Sequence, residues 1–164
     1  MIQSILAHIK NGKLWRYAGG NFPAERKSLS NQQAILPATI PAELVIPLDQ
    51  HIGEAADLIV KVGDKVLKGQ ALTSHNNFRA LPVHASSSGI ITAIEPRPSC
   101  HASGLPELSI IIATDGEDTW QTRIPLADFT SLDRHAISDK IHCAGIAGKG
   151  GAGFPTHLKL SGKA

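Results

Sequence analysis

Cysteine is nearly absent from this chain. Only Cys100 and Cys143 occur in 164 residues, and no C-x-x-C pair is present. Two isolated thiols give neither a disulfide framework nor the four-thiolate cradle of an iron–sulfur cluster. Aromatic side chains make up 4% of the residues, too few for a base-stacking platform. The net charge is +2 with interspersed signs, so no nucleic-acid partner is expected. No apolar run reaches the roughly 20 residues that a membrane helix needs. The start shows no signal-peptide pattern, and the chain is expected to be soluble and cytoplasmic. The eight histidines are scattered without ligand spacing. Cys100-His101 and His142-Cys143 are neighbours whose side chains diverge on a strand or helix. No metal site is expected, and no acid–base pair or nucleophilic triad stands out.

At 42% hydrophobic, the chain can bury one good core with a smaller appendage. From residue 37 it breaks into short apolar or β-branched runs at 44–48, 58–62, 81–85, 89–95 and 108–114. Turns punctuate them at Gly63-Asp64, at Gly69 and in the proline-rich stretch 96–106, which reads as a loop. Short strands at this density indicate a compact β sandwich or barrel. A weak repeat, 46–53 echoed by 81–89, suggests two related halves. The run Val62-Gly63-Asp64-Lys65-Val66-Leu67-Lys68-Gly69-Gln70 is similar to the signature of biotinyl and lipoyl carrier domains. Such domains carry their prosthetic arm on a lysine at an exposed hairpin tip. The candidate tip here, residues 73–80, holds no lysine, so the barrel is expected to be architectural.

Residues 117–130 read as a linker bearing an exposed Trp120. Thr130 or Ser131 can then cap a helix whose Leu132, Ala136, Ile137, Ile141 and Ala144 share one face. Gly145 suits its C′ position. A glycine-rich stretch follows: Gly145, Gly148, Gly150, Gly151 and Gly153 fall within nine residues, with Lys149 inside and Lys159 beyond. Successive unobstructed N–H groups can nest an anion, and the lysines add positive charge. Gly148, Gly150 and Gly153 satisfy G-x-G-x-x-G, but a Rossmann fingerprint must follow a strand, and here a helix precedes it. No Lys-Ser or Lys-Thr closes a Walker loop.

Gly148-Lys149-Gly150-Gly151-Ala152-Gly153-Phe154-Pro155-Thr156, with Lys159, resembles the nucleotide-binding loop of the flavin-carrying subunit of respiratory complex I. It is most similar to the version in the C subunit of the Rnf (Rsx) ion-translocating electron-transport complex. The run from 46–53 through to Gly69-Gln70 is similar to that family too, as is the N-terminal Gly-Gly-x-x-Pro-x-x-x-Lys pattern at 19–27. A departure there is Phe22, where the family usually has histidine.

The resemblance implies a mainly β fold, a biotinyl/lipoyl-like barrel-sandwich hybrid. It also implies that the helix and glycine-rich loop open a truncated α/β nucleotide-binding domain. The expected division is an N-terminal strap at 1–36, an unmodified barrel at 37–116, a linker at 117–130 and the start of the FMN/NADH-binding domain at 131–164. Gly148, Lys149, Gly150, Gly151, Ala152, Gly153, Phe154, Thr156 and Lys159 would then contribute to FMN and NADH binding. Two [4Fe–4S] clusters are expected only in a C-terminal region beyond residue 164.

The implied partners are the other Rnf/Rsx subunits, NADH and ferredoxin- or flavodoxin-type carriers. The implied place is the cytoplasmic face of the bacterial inner membrane, as a peripheral subunit of an oxidoreductase translocase. Residues 1–164 alone are expected to be inactive and to bind FMN and NADH very weakly, because walls for the flavin ring would come from downstream. The alternative is a non-catalytic, biotinyl-like docking module.

Overall fold

The computed structural model describes residues 24–150 and 152–162. The chain divides into two units, 1–38 and 39–164. Of the first, only residues 24–38 are described, and they include a 3₁₀ turn at Lys27–Leu29. Phe22 and most of the expected N-terminal strap lie outside the described residues.

The second unit is built on a four-stranded antiparallel sheet. Its strands are β1 (Glu43–Pro47), β2 (Lys65–Val66), β3 (Gly89–Pro98) and β4 (Pro106–Thr114), in the order β1-β4-β3-β2. β4 is central, and its Ser109, Ile110, Ile111 and Ile112 are all buried. A continuous apolar run without alternation is what a strand covered on both faces should show. Ile46, Leu48, Val66, Leu72, Val83, Ala85, Ile91, Ile110 and Ile112 form the core. The sheet curls, helped by a bulge between Ile91 and Ala93 in β3, because an extra residue bends and twists its strand. Gly89 has no alternative: a Cβ there would lie 2.1 Å from the Ala113 carbonyl oxygen. These features fit the mainly β, barrel-sandwich class expected from sequence.

The runs at 58–62 and 81–85 close the barrel with isolated bridges instead of full strands. Leu58 bridges Thr73, and Ala71 bridges His84. One reason is chemical: the Val83 N–H is taken by the Thr73 hydroxyl at 2.8 Å, and Pro82 has no N–H to give. The proline-rich loop also differs from expectation. β3 continues through Pro96 and Pro98, and β4 begins at Pro106, leaving a turn at 99–105. β2 pairs only with Gly89 and Ile90, so this part of β3 is an edge, where a missing N–H disturbs no ladder.

After β4 the chain returns to the barrel, with Trp120 bridged in parallel to Lys68. Helix α1 (Arg134–Cys143) follows. Its N-cap is Asp133, whose carboxylate accepts the Ala136 N–H at 2.8 Å, not Thr130 or Ser131. Those two are engaged by Asp128 in a turn one step earlier. Gly145 does take the C′ position, with φ of 66° and its N–H on the His142 carbonyl. A small hairpin, β5 (Ala147–Gly148) and β6 (Phe154–Pro155), leads into α2 (Thr156–Leu160). The Arg134 guanidinium donates to the carbonyls of Leu160 and Gly162, tying the two helices together.

Candidate functional site

The glycine-rich stretch is the turn of the β5–β6 hairpin. Gly148 pairs with Phe154, and Ala147 with the buried Pro155. The Thr156 N–H donates to the Ile146 carbonyl at 2.9 Å, so α2 starts from a fixed point. The loop is thus preceded by a helix and carried on a hairpin. That geometry is not the strand–loop–helix of a Rossmann fingerprint.

The residues expected to bind the cofactor fall into two groups. Lys149, Ala152 and Gly153 line a groove of about 480 Å³ shared with Gln50, His51 and the 99–105 turn. Gly153 sits close to the barrel, where a Cβ would lie 3.3 Å from the His51 Cα. Its carbonyl accepts the Ile52 N–H at 3.3 Å. Lys159 lies elsewhere, its Nζ 5.8 Å from the Phe154 ring centre. A Cβ on Gly148 would be only 2.9 Å from that Nζ. Thr156 is half-buried at the start of α2. Gly150 faces open space, with no atom within 4 Å of where a Cβ would stand. Gly151 lies outside the described residues. Of the described glycines within the hairpin, Gly148, Gly150 and Gly153, only Gly153 has a positive φ, at 65°.

A cluster with no sequence signature docks this hairpin on the barrel. His51 follows β1, His142 is in the last turn of α1, and His157 is in α2; all three are buried. Each holds one stretch of barrel backbone, residues 78–81. His157 Nε2 donates to the Phe78 carbonyl at 2.6 Å, and His142 Nε2 to the Ala80 carbonyl at 2.7 Å. His51 Nε2 accepts the Leu81 N–H at 3.0 Å, while its Nδ1–H donates to the Ile52 carbonyl at 3.1 Å. The rings of His142 and His157 lie 4.2 Å apart, and Phe78 meets both edge-on. The tip expected to stand free is therefore held along its C-terminal side. On the helical face shared by Leu132, Ala136, Ile137, Ile141 and Ala144, the first four are half-buried and Ala144 is exposed. The buried anchor of α1 is His142. Spacing could not reveal this cluster, since its members come from three separate elements.

Burial pushes the His157 imidazole below its ordinary value of 6.5, with His142 and His51 lowering it further; the Phe78 carbonyl and Asp139 act the other way. His84 is likewise lowered by burial. Among the described residues no group of three or more potential ligands could hold a metal ion. Nor is any helix among them long and apolar enough to cross a membrane.

A second groove, of about 570 Å³, lies between the barrel and α1. Its lining includes Trp120, Arg123, Ile124, Leu126 and Lys140. Trp120 is flanked by the Lys68 ammonium at 4.9 Å and the Arg123 guanidinium at 5.0 Å, close enough for cation–π attraction.

Comparison with known proteins gives a consistent result. The model of the RnfC barrel sandwich hybrid domain matches residues 15–117. The C subunit of an ion-translocating oxidoreductase complex from Vibrio cholerae serotype O1 (strain O395) is 52% identical over 157 residues. That alignment covers 96% of this chain and 20% of the relative. Proteins of the same name from Edwardsiella ictaluri and Pasteurella multocida are each 48% identical, over 98% and 95% of the chain. The chain spans about a fifth of the length of these curated relatives.

Proposed function

Since this chain belongs to the RnfC barrel sandwich hybrid family, we propose that it is the N-terminal part of the C subunit of an ion-translocating electron-transport complex. In this reading the barrel is a scaffold, and the β5–β6 loop contributes to the binding of FMN and NADH. The full subunit would sit as a peripheral protein on the cytoplasmic face of the membrane, among the other Rnf/Rsx subunits. Electrons would pass between NADH and a ferredoxin- or flavodoxin-type carrier. The two [4Fe–4S] clusters would belong to residues beyond 164.

The observation that carries this reading is the open approach to Gly150 beside Lys149, on a hairpin pinned at Gly153. Glycine presents its N–H without a side chain in the way, and an exposed lysine beside it offers an anion its counter-charge. Gly150 and Lys149 would face phosphate, with Ala152 and Gly153 extending the surface toward Gln50. Lys159, packed against Gly148, would act as a second cation. Bound FMN supplies the hydride and electron chemistry; these residues bind and orient.

Gly150→Val and Lys149→Ala test this in the full-length subunit. A Cβ at 150 has no described atom beyond its chain neighbours within 4 Å, so a valine's effect should fall mainly on whatever approaches the loop. Losing a charge-assisted contact costs about 1.5–3 kcal/mol, and flavin affinity should fall by about tenfold or more in each variant. Wild-type flavin affinity in both would reject the loop as a binding element.

The second reading is a docking module without chemistry. It is favoured by the groove at Trp120, whose Ile124 and Leu126 are exposed and whose Arg123 and Lys140 have no carboxylate partner among the described residues. Loss of complex assembly in Trp120→Ala, with flavin binding intact, would support it.

A further inference from the structure

We infer that His51, His142 and His157 form a proton-sensitive joint that holds the glycine hairpin on the barrel only while His51 and His157 are neutral. The inference concerns how the hairpin is held, and it stands whether or not the loop binds a nucleotide.

The hydrogen bonds themselves define the neutral state. His51 uses Nδ1 as donor to Ile52 and Nε2 as acceptor from Leu81. A second proton on this ring would place N–H against N–H and break the bond to Leu81. His157 donates through Nε2 to Phe78, while its Nδ1 is buried with no partner among the described residues. Protonation there would create a charged donor with no acceptor, which is among the costlier events inside a protein. His157 is 0% exposed, so the new N–H cannot turn to water without opening the joint.

The surroundings offer little compensation. From α1, His142 faces the ring at 4.2 Å and would repel the new charge if it were itself protonated. From the segment after β1, His51 acts in the same sense. The barrel tip presents the Phe78 carbonyl, which already accepts from Nε2. Its neighbouring charges are Arg79 and Glu54, the latter engaged by the Asn77 amide at 2.8 Å. Asp139 of α1 is the one carboxylate that raises His157, and burial outweighs it. A base whose folded value lies below 6.5 leaves the unfolded or opened state binding more protons as pH falls. Docking is therefore weakened progressively as pH falls below about 6.5.

The mechanical consequence follows from chain connectivity. His157 lies just beyond β6, at the start of α2, and among the described residues the hairpin's own backbone is hydrogen-bonded to the barrel at Gly153–Ile52. Release of α2 from residues 78–81 frees the glycine loop, while the apolar cluster of the barrel holds together; His84, half-buried beside Cys143 and Gly145, is a further titratable group at this interface.

Hydrogen exchange of the purified full-length subunit between pH 7.5 and 5.5, corrected for intrinsic rates, tests this. Peptides covering 78–81 and 153–160 should lose protection by up to about tenfold per pH unit for one linked proton. β3 and β4 should not change. His157→Gln keeps an N–H donor for Phe78 but cannot titrate, and it should reduce that dependence, leaving the share carried by His51. His135→Gln, on an exposed face of α1, should leave it as in wild type. Because His157→Gln could fail to dock, imidazole ¹⁵N NMR of the wild type supplies an independent reading. It should show the Nε2–H tautomer at His157, titrating below 6.5, and the Nδ1–H tautomer at His51. Protection that is independent of pH, a pH dependence undiminished in a docked His157→Gln, or titration of His157 at or above 6.5 would each overturn the inference.

Discussion

The barrel and the hairpin module beside it are held by different physics. In the barrel, isoleucines, leucines and valines from four strands and their connections bury one another completely. In the α1–hairpin–α2 module, the buried residues among those described are His142, Pro155 and His157. One region is fixed by apolar area, which no ordinary change of pH touches. The other is fixed by directional bonds from imidazoles to backbone, where His51 must stay neutral to accept from Leu81 and the buried His157 Nδ1 has no partner for a second proton. A rigid scaffold carrying an adjustable loop is the arrangement expected where function sits on connecting segments.

This contrast can be broken at its strong side first. Ile112→Ala empties part of the dry core and should cost about 2–5 kcal/mol. A urea titration should show both regions unfolding together at a lower midpoint, since the joint has no partner without the barrel. Gly145→Val attacks the interface. Its φ of 66° disfavours a branched residue, and its Cβ would fall 2.5 Å from the Pro82 carbonyl oxygen. An expected cost of about 1–3 kcal/mol should appear as lost exchange protection in 134–160, with β3 and β4 unaltered. The smallest effect belongs to Asp133→Ala, which removes the α1 cap for about 1 kcal/mol. It should fray the first turn of α1, measured as faster exchange at Ala136, and leave the histidine joint intact at the other end of the helix.

The same contrast explains what could be read from the sequence. The Ile110-Ile111-Ile112 run, the Gly63-Asp64 turn and the Gly145 stop each announce themselves through local composition, and the structure places all three as composition suggests. Pro96 and Pro98 misled because strand compatibility depends on whether a neighbour needs the N–H, and that is a property of the sheet. Thr130 and Ser131 are good caps by type, yet Asp128 binds them first and Asp133 caps the helix. The histidine joint was illegible for a deeper reason. Its members are far apart in sequence, and each bonds to backbone carbonyls or amides that every residue possesses. Of the loop residues, Lys149, Ala152 and Gly153 come together at one groove, while Lys159 stands apart against Gly148; only folding could sort them.

The claim that the hairpin loop, carried on an inert barrel, is a flavin nucleotide site is tested most directly by hydrogen exchange of the full-length subunit with and without FMN. Residues 147–150 and 152–153 should exchange more slowly when FMN is present, while β3, β4 and the Trp120 groove remain unchanged. Unaltered exchange across the loop in a subunit that has taken up FMN would contradict the account.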